Sequence, residues 1–436
     1  MHRDGGYMST NLEQIAEMSR QDPRMRFTSL AHYLTPQMLR SSYEQLNRKG
    51  APGVDGVTME EFRQNLDENI EALWLELRSG KYRAMSVRRA WIPKDGGKLR
   101  PLGIPSVRDR VVQKALHTIL SMVFEPCFLE VSYGYRPGLS AHDALDRLGK
   151  LVNRSGTCMI VDADIEGFFD AVNHEWLRKF LEDRVTDRTI LRLVGKFLNA
   201  GVMDNGVHVA TEDGVPQGGP LSPLLANIYL HYVLDLWFDR RVRKACEDEC
   251  FLVRYADDFV AGFAHRGDAE SFLVELSQRL SDFGLKLSEA KTKLVDFGPR
   301  SPRNGEGPGP SDKPRTFDFL GFTHYMRRRP KTGKLKCEVK PSGKRRNRFL
   351  LKVKEFLTEE RDTSLRWQSK RLSVRLRGWY QYFGRRHCLS SLKQVKWHVE
   401  RIWISVLRRR SDRHHLYWWR VKNTRWFTSL PEPRLS

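Results

Sequence analysis

Two adjacent aspartates, Asp257 and Asp258, interrupt a strand-forming stretch, with FLVR before them and FVAGF after. The apolar, β-branched and aromatic content on both sides reads as two strands of a hairpin. Its turn presents Tyr255, Ala256, Asp257 and Asp258 at the tip. Neighbouring carboxylates repel and raise each other's pKa unless a cation compensates them. A solvated acidic turn satisfies the same pattern, since Asp is a common turn former.

A second acidic segment favours the cation. Residues 159–177, MIVDADIEGFFDAVNHEWL, carry Asp162 and Asp164 on a strand whose period of two puts both on one face before the chain turns into a helix. An unpaired carboxylate on a buried strand is strongly destabilising, so each needs a basic partner or a metal. In a chain with 75 Lys and Arg, an ion pair explains one of these acids and explains the whole set poorly. Phosphoryl transfer explains the set. Two Mg²⁺ ions about 4 Å apart activate an attacking 3′ hydroxyl, stabilise the departing pyrophosphate and align the displacement. Magnesium takes hard oxygen ligands and shares itself with water and substrate phosphates, so a few carboxylates suffice.

The charge balance agrees. A net charge of +22 and a pI near 9.9 ask for a polyanionic partner, because Lys and Arg gain by displacing counterions from phosphates. Nucleic acid fits better than an anionic membrane. The longest apolar stretch, residues 221–238, is broken by Asn227, His231 and Asp235, which predicts an amphipathic helix and no membrane span. The N-terminus lacks the apolar core of a signal peptide, so the bacterial cytosol is the expected compartment. Six scattered cysteines give no disulfide framework. Cys246 and Cys250 have no second pair at ligand spacing, so a zinc site is not expected.

With 436 residues and 40% hydrophobic content, two or three domains with a sizeable core are expected. Helical patterns at 36–47 and 59–79 flank a turn-rich segment, 50–56; strand patterns follow at 87–93 and 158–165. Residues 298–315, rich in Gly, Pro and Ser, predict an exposed loop, and 317–325 a strand returning to the same core. Alternation of helices and short strands without an internal repeat points to an α/β or α+β body. Residues 344–436 hold 25 Lys and Arg against 7 Asp and Glu, and seven of the eleven tryptophans. Most of those tryptophans are expected to pack, and the cations to track phosphates. Lys94 and Arg100 flank a DGG turn able to lay two cations on a triphosphate, although surface charge explains that pair equally well. Gln217 precedes a helical pattern with apolar positions 221, 224, 225 and 228.

These residues together resemble the group II intron-encoded reverse transcriptases and maturases. The blocks are YADD at 255–258, DIEGFFD at 164–170, GVPQGGPLSPLLANIYL at 214–230, GAPGVDGVT at 50–58 and WIPKDGGKLRPLGIPSVRDRVVQKAL at 91–116. SYGYRPGLSAHDAL at 132–145, LSEAKTKL at 287–294 and FDFLGF at 317–322 complete the family's order. Together they cover roughly residues 25–430, far more than an isolated motif match. The resemblance implies an α+β right-hand polymerase fold. Residues 1–85 would form an N-terminal extension and the start of the fingers, 86–326 fingers and palm, 327–410 the maturase thumb, and 411–436 a short basic tail able to bind DNA.

On the family pattern Asp164, not Asp162, joins Asp257 and Asp258 as catalytic ligands of Mg²⁺. Phe169 would lie under the incoming sugar and exclude a 2′ hydroxyl, with Phe168 as the alternative. The resemblance assigns Lys94 and Arg100 to the triphosphate, Gln217, Gly218 and the Gly219 backbone to nucleotide and template, and Lys291 to the departing phosphate. Arg371, Arg375, Arg377, Arg385 and Arg386 would grip intron RNA. The implied protein is an RNA-directed DNA polymerase that also assists splicing and supports retrohoming by target-primed reverse transcription. Its partners would be group II intron RNA, target DNA and dNTPs, with no membrane; a homodimer is admitted. A domesticated reverse transcriptase of phage defence or CRISPR adaptation is the alternative. A maturase without polymerase activity sits badly with three intact aspartates. Many relatives carry an HNH endonuclease after the thumb, and its paired cysteines are absent here. Priming from another 3′ end, such as a nascent strand, is therefore expected.

Overall fold

The computed structural model describes residues 10–93, 99–154, 156–204, 206–209, 213–297, 316–330, 332–333, 335–410 and 429–435. Contacts divide the chain into two compact units. One comprises Met1–Ala144, Ala163–Ala261 and Gly267–Lys293; the other comprises Leu145–Asp162, Gly262–Arg266 and Leu294–Ser436. The predicted loop 298–315 lies outside the described residues.

Helices α1 (Thr10–Gln21), α2 (Pro36–Glu44), α3 (Met59–Gln64) and α4 (Leu66–Arg78) open the first unit. Thr35 caps α2, its hydroxyl accepting from the Met38 amide, and Pro36 occupies the first turn where its missing N–H is harmless. Thr58 and Glu61 form a reciprocal capping box on α3. The single helix expected over 59–79 is two. Asn65 breaks it at φ −120° and ψ 47°, as a side chain that competes for backbone hydrogen bonds tends to do.

The expected strand 87–93 forms as β1 (Val87–Pro93), antiparallel to β2 (Leu99–Ile104). Chain order continues with helix α5 (Val107–Phe124), helix α6 (Ala141–Arg154), β3 (Met159–Asp164), α7 (Phe168–Ala171), α8 (His174–Glu182) and α9 (Arg188–Leu198). Then come β4 (Val202–Asp204), β5 (Val207–Val209) and α10 (Ser222–Leu230). After these, β6 (Phe251–Tyr255), β7 (Asp258–Phe263) and β8 (Lys293–Asp296) complete a four-stranded sheet in the order β6-β7-β3-β8, while a second sheet runs β2-β1-β4-β5.

The stretch 221–238 departs from its expected amphipathic form. Helix α10 continues into π-helical turns at His231–Asp235 and Phe238–Val242, and Asn227, His231 and Asp235 are all buried. Its polar residues face the interior, where at least two of the three have partners on other elements. Among the described residues no helix is long and apolar enough to cross a membrane.

In the second unit β9 (Phe317–Phe319), β10 (Phe322–Arg328) and β11 (Leu335–Pro341) form a sheet in the order β11-β10-β9. The strand expected over 317–325 is thus a hairpin. Leu320 and Gly321 take φ +48° and +82°, the left-handed pair that a tight hairpin turn of right-twisted strands requires. Three long helices follow, at Gly343–Glu359, Leu365–Phe383 and Leu389–Arg408. Their packing buries Trp379 and Trp403, and the Trp403 indole donates to Gln368 Oε1 at 2.8 Å. Trp367 and Trp397 are exposed instead; Trp418, Trp419 and Trp426 lie outside the described residues.

Candidate active site

Backbone pairing assembles the site within the first unit. The Ser288 amide donates to the Asp164 carbonyl and the Glu166 amide to the Lys286 carbonyl, both at 2.8 Å, while Ile165 bridges Leu287. The segment before β8 is thereby laid along the end of β3. Lys291 then reaches Asp164, its ammonium donating to Oδ2. Asp164 is half-buried, as the period-two reading of β3 requires.

Strands β6 and β7 are joined by two residues, Ala256 and Asp257. Ala256 holds φ +58°, the left-handed value that primed hairpin turns demand at their first central residue. Asp257 and Asp258 are half-buried at that tip. Burial pushes the Asp257 carboxyl above its usual range and the Asp164 charge pushes it further, with Arg100 and Lys291 opposing. Coulombic influence weakens with distance, so these four side chains share one neighbourhood. Arg100 itself is exposed on β2. Lys94 lies outside the described residues.

The glycine-rich segment after Asp213 closes one side. The Val215 amide donates to the Phe169 carbonyl at 2.7 Å, and the Gly103 amide donates to the Gln217 carbonyl at 2.7 Å. Gly218 holds φ +126°, and a Cβ there would run into the Gly103 carbonyl oxygen, so this backbone approach depends on glycine. Gln217 lines a cleft of about 350 Å³ together with Arg89, Gly103 and Asp170. Burial separates the two phenylalanines of α7. Phe168 is 2% exposed and meets Tyr229 edge-on, whereas Phe169 is half-exposed.

One neighbour escaped the sequence reading. Tyr135 holds φ +60°, and burial, Asp257 and Tyr255 raise its hydroxyl pKa while Arg100 opposes them. Strain of that kind in a non-glycine residue is a signal of function. The motif SYGYRPG contains it, but only the backbone angle singles it out.

Among the described residues no three His, Cys, Asp or Glu side chains gather as a preformed metal cage. The donor chemistry still fits a hard divalent cation: carboxylate oxygens, with the Asp257 carboxyl pKa raised by burial and then by the Asp164 charge, a repulsion that a bound cation relieves. In this arrangement Lys291 supplies the positive charge at Asp164.

In the second unit, the five arginines assigned to RNA divide. Arg371, Arg377 and Arg386 are exposed, Arg371 lying over the Trp367 ring at 5.5 Å. Arg375 sits 3.7 Å above the Phe356 ring, and burial lowers its pKa. Arg385 is paired with Asp146.

Asp164 at the end of β3, coupled to Asp257 in the turn between β6 and the adjoining β7, with a glycine-rich loop alongside, makes the palm of a right-hand polymerase. The chain belongs to the reverse transcriptase (RNA-dependent DNA polymerase) family, whose model matches residues 92–324. Among its curated relatives, Protein YkfC of Escherichia coli K12 is 36% identical over 242 residues, covering 53% of this chain and 64% of the relative. The group II intron-encoded protein LtrA of Lactococcus lactis is 37% identical over 239 residues, covering 52% and 39%. Nuclear intron maturase 4, mitochondrial, of Arabidopsis thaliana is 28% identical over 196 residues, covering 45% and 23%. The chain therefore spans less than two thirds of each of these relatives.

Proposed function

We propose that this chain polymerises DNA on an RNA template and binds the RNA of a group II intron, assisting its splicing and its retrohoming into target DNA. The observation that supports polymerisation best is the coupling of Asp257, in the β6–β7 turn, to Asp164 at the end of β3, with Lys291 and Arg100 beside them. Asp164, Asp257 and Asp258 would hold Mg²⁺, which when bound supplies charge neutralisation and a polarised 3′ hydroxyl. Lys291 would exchange Asp164 for the departing phosphate, where an ammonium stabilises negative charge. Arg100, with Lys94, would hold the triphosphate by charge-assisted hydrogen bonds. Phe169 rather than Phe168 would face the sugar, because Phe168 is committed to the core. Gln217 and Gly218 would position nucleotide and template. In this reading residues 86–326 serve as fingers and palm and 327–410 as thumb.

The intron role is supported by the family relatives named for introns and by the exposed cations of the second unit. Primer extension on an RNA template with dNTPs and Mg²⁺ tests the first half, comparing the parent with Asp257→Ala. The parent should extend and the variant should not; equal extension by both overturns the assignment. A splicing assay with the host intron should proceed with Asp257→Ala, since RNA grip and chemistry use different residues. Loss of splicing there would sink their separation.

A further inference from the structure

The interior beneath the aspartate turn holds a second set of charges. Arg254, on β6, and Asp235, in the π-helical turn after α10, are both fully buried. Arg254 Nε donates to Asp235 Oδ1 at 2.8 Å and Nη2 to Oδ2 at 2.5 Å, a bidentate fork. Its Nη1 donates to Asn227 Oδ1 at 3.0 Å and to the carbonyl of Ala256 at 3.1 Å. Asn227 passes the chain on, its Nδ2 donating to the Gly134 carbonyl at 2.7 Å. The Arg254 backbone is fixed as well, with its amide on the Val131 carbonyl and its carbonyl receiving the Tyr133 amide.

A buried ion pair is a poor device for stability, because desolvation consumes most of what the attraction returns. A guanidinium is, however, a good device for holding several acceptors in one plane. One of the acceptors here is the carbonyl of the residue immediately before Asp257. Ala256 lies in the left-handed region, which an alanine enters only when surrounding contacts over-determine it. The hydrogen bond from a charged donor supplies that determination. Gly134 supplies the other wall: a Cβ there would collide with the Ala256 amide nitrogen, so the loop at 133–135 presses directly on the turn.

From this geometry we propose that Arg254, oriented by Asp235 and Asn227, is a positioning residue that fixes the Asp257 and Asp258 carboxylates for metal binding. It touches no substrate in this role and acts only through the turn. The proposal rests on the polymerase reading of those aspartates, and the experiment separates the two.

Two variants retain a balanced interior. Arg254→Met combined with Asp235→Leu removes both charges together, and Arg254→Lys keeps a cation for Asp235 without the planar fork that reaches Ala256. Binding of Mn²⁺ is measured by electron paramagnetic resonance, alongside the Mg²⁺ concentration giving half-maximal primer extension, the KM for dNTP and the melting temperature. Both variants should bind Mn²⁺ about 10–100-fold more weakly and need correspondingly more Mg²⁺, as loss of groups orienting metal ligands generally requires. The dNTP KM at saturating Mg²⁺ should stay near the parent value. A merely structural ion pair would change the melting temperature and leave metal affinity in the folded fraction alone. Parental Mn²⁺ affinity in folded Arg254→Lys overturns the proposal, whatever becomes of the double variant. If Asp257→Ala instead binds Mn²⁺ and extends primers like the parent, the polymerase reading itself has failed.

Discussion

The two units use charge in opposite ways. In the first, Arg254 and Asp235 are sealed inside, and Asp257 of the turn is half-buried and coupled to Asp164. In the second, Arg371, Arg377 and Arg386 stand in solvent on or beside one basic helix. Buried and coupled groups act as a set, so losing one disables the rest. Exposed cations act on phosphates nearly independently and through screened attraction. A point change should therefore be catastrophic in the first unit and graded in the second.

The sharpest test of that contrast is Asp258→Ala. Extension should fall about 10²–10³-fold, in line with removing one preorganised electrostatic group, while RNA affinity remains parental. Steady-state extension and filter binding measure the two, and a modest loss would place Asp258 among the independent charges instead. Next comes the triple change Arg371→Ala, Arg377→Ala and Arg386→Ala. The slope of log affinity for RNA against log salt should shrink by about 2, near 0.7 for each lost phosphate contact. Each single change should give about a third of that, and Arg375→Ala should instead lower the melting temperature, since its guanidinium packs on Phe356.

The smallest effect concerns pH. Asp257 has a folded-state carboxyl raised by burial and by Asp164, so the folded chain keeps a proton that the unfolded chain gives up. Stability then falls as pH climbs from the unfolded carboxylate value through the folded one, and stays lower above it. With chelator present, Asp257→Asn should melt above the parent at pH 7 and close to it at pH 4. Mg²⁺ should raise the parent's melting temperature at pH 7 and move the variant's less; identical melts in all conditions would detach Asp257 from its charged neighbours.

Local pattern carried much of this fold. Strand β1 forms at the residues its composition marks, and β6 and β7 flank the aspartates as their apolar runs require. The strand-borne Asp164 is where period two puts it. Two polar residues of 221–238 mislead because their partner lies far along the chain. Asn227 and Asp235 look like breaks in an apolar face until Arg254, 27 and 19 residues later, is seen to receive them. Leu320 gave no sign of a turn, because leucine seldom takes a positive φ unless its neighbours impose it. Bulk alone leaves Phe168 and Phe169 equivalent; the family pattern favours Phe169, and packing against Tyr229 sets Phe168 apart.

The π-helical turn at His231–Asp235 has a consequence for length as well as identity. At 100° per residue an α-helix leaves positions eight apart about 80° out of line. The wider turn advances less per residue and narrows that offset, so Asn227 and Asp235 both meet the same guanidinium. Forcing this segment into regular winding at unchanged length would swing the carboxylate off its arginine, whereas excising one residue would leave the pair seven apart and about 20° out of line, so winding and length here are matched to one guanidinium.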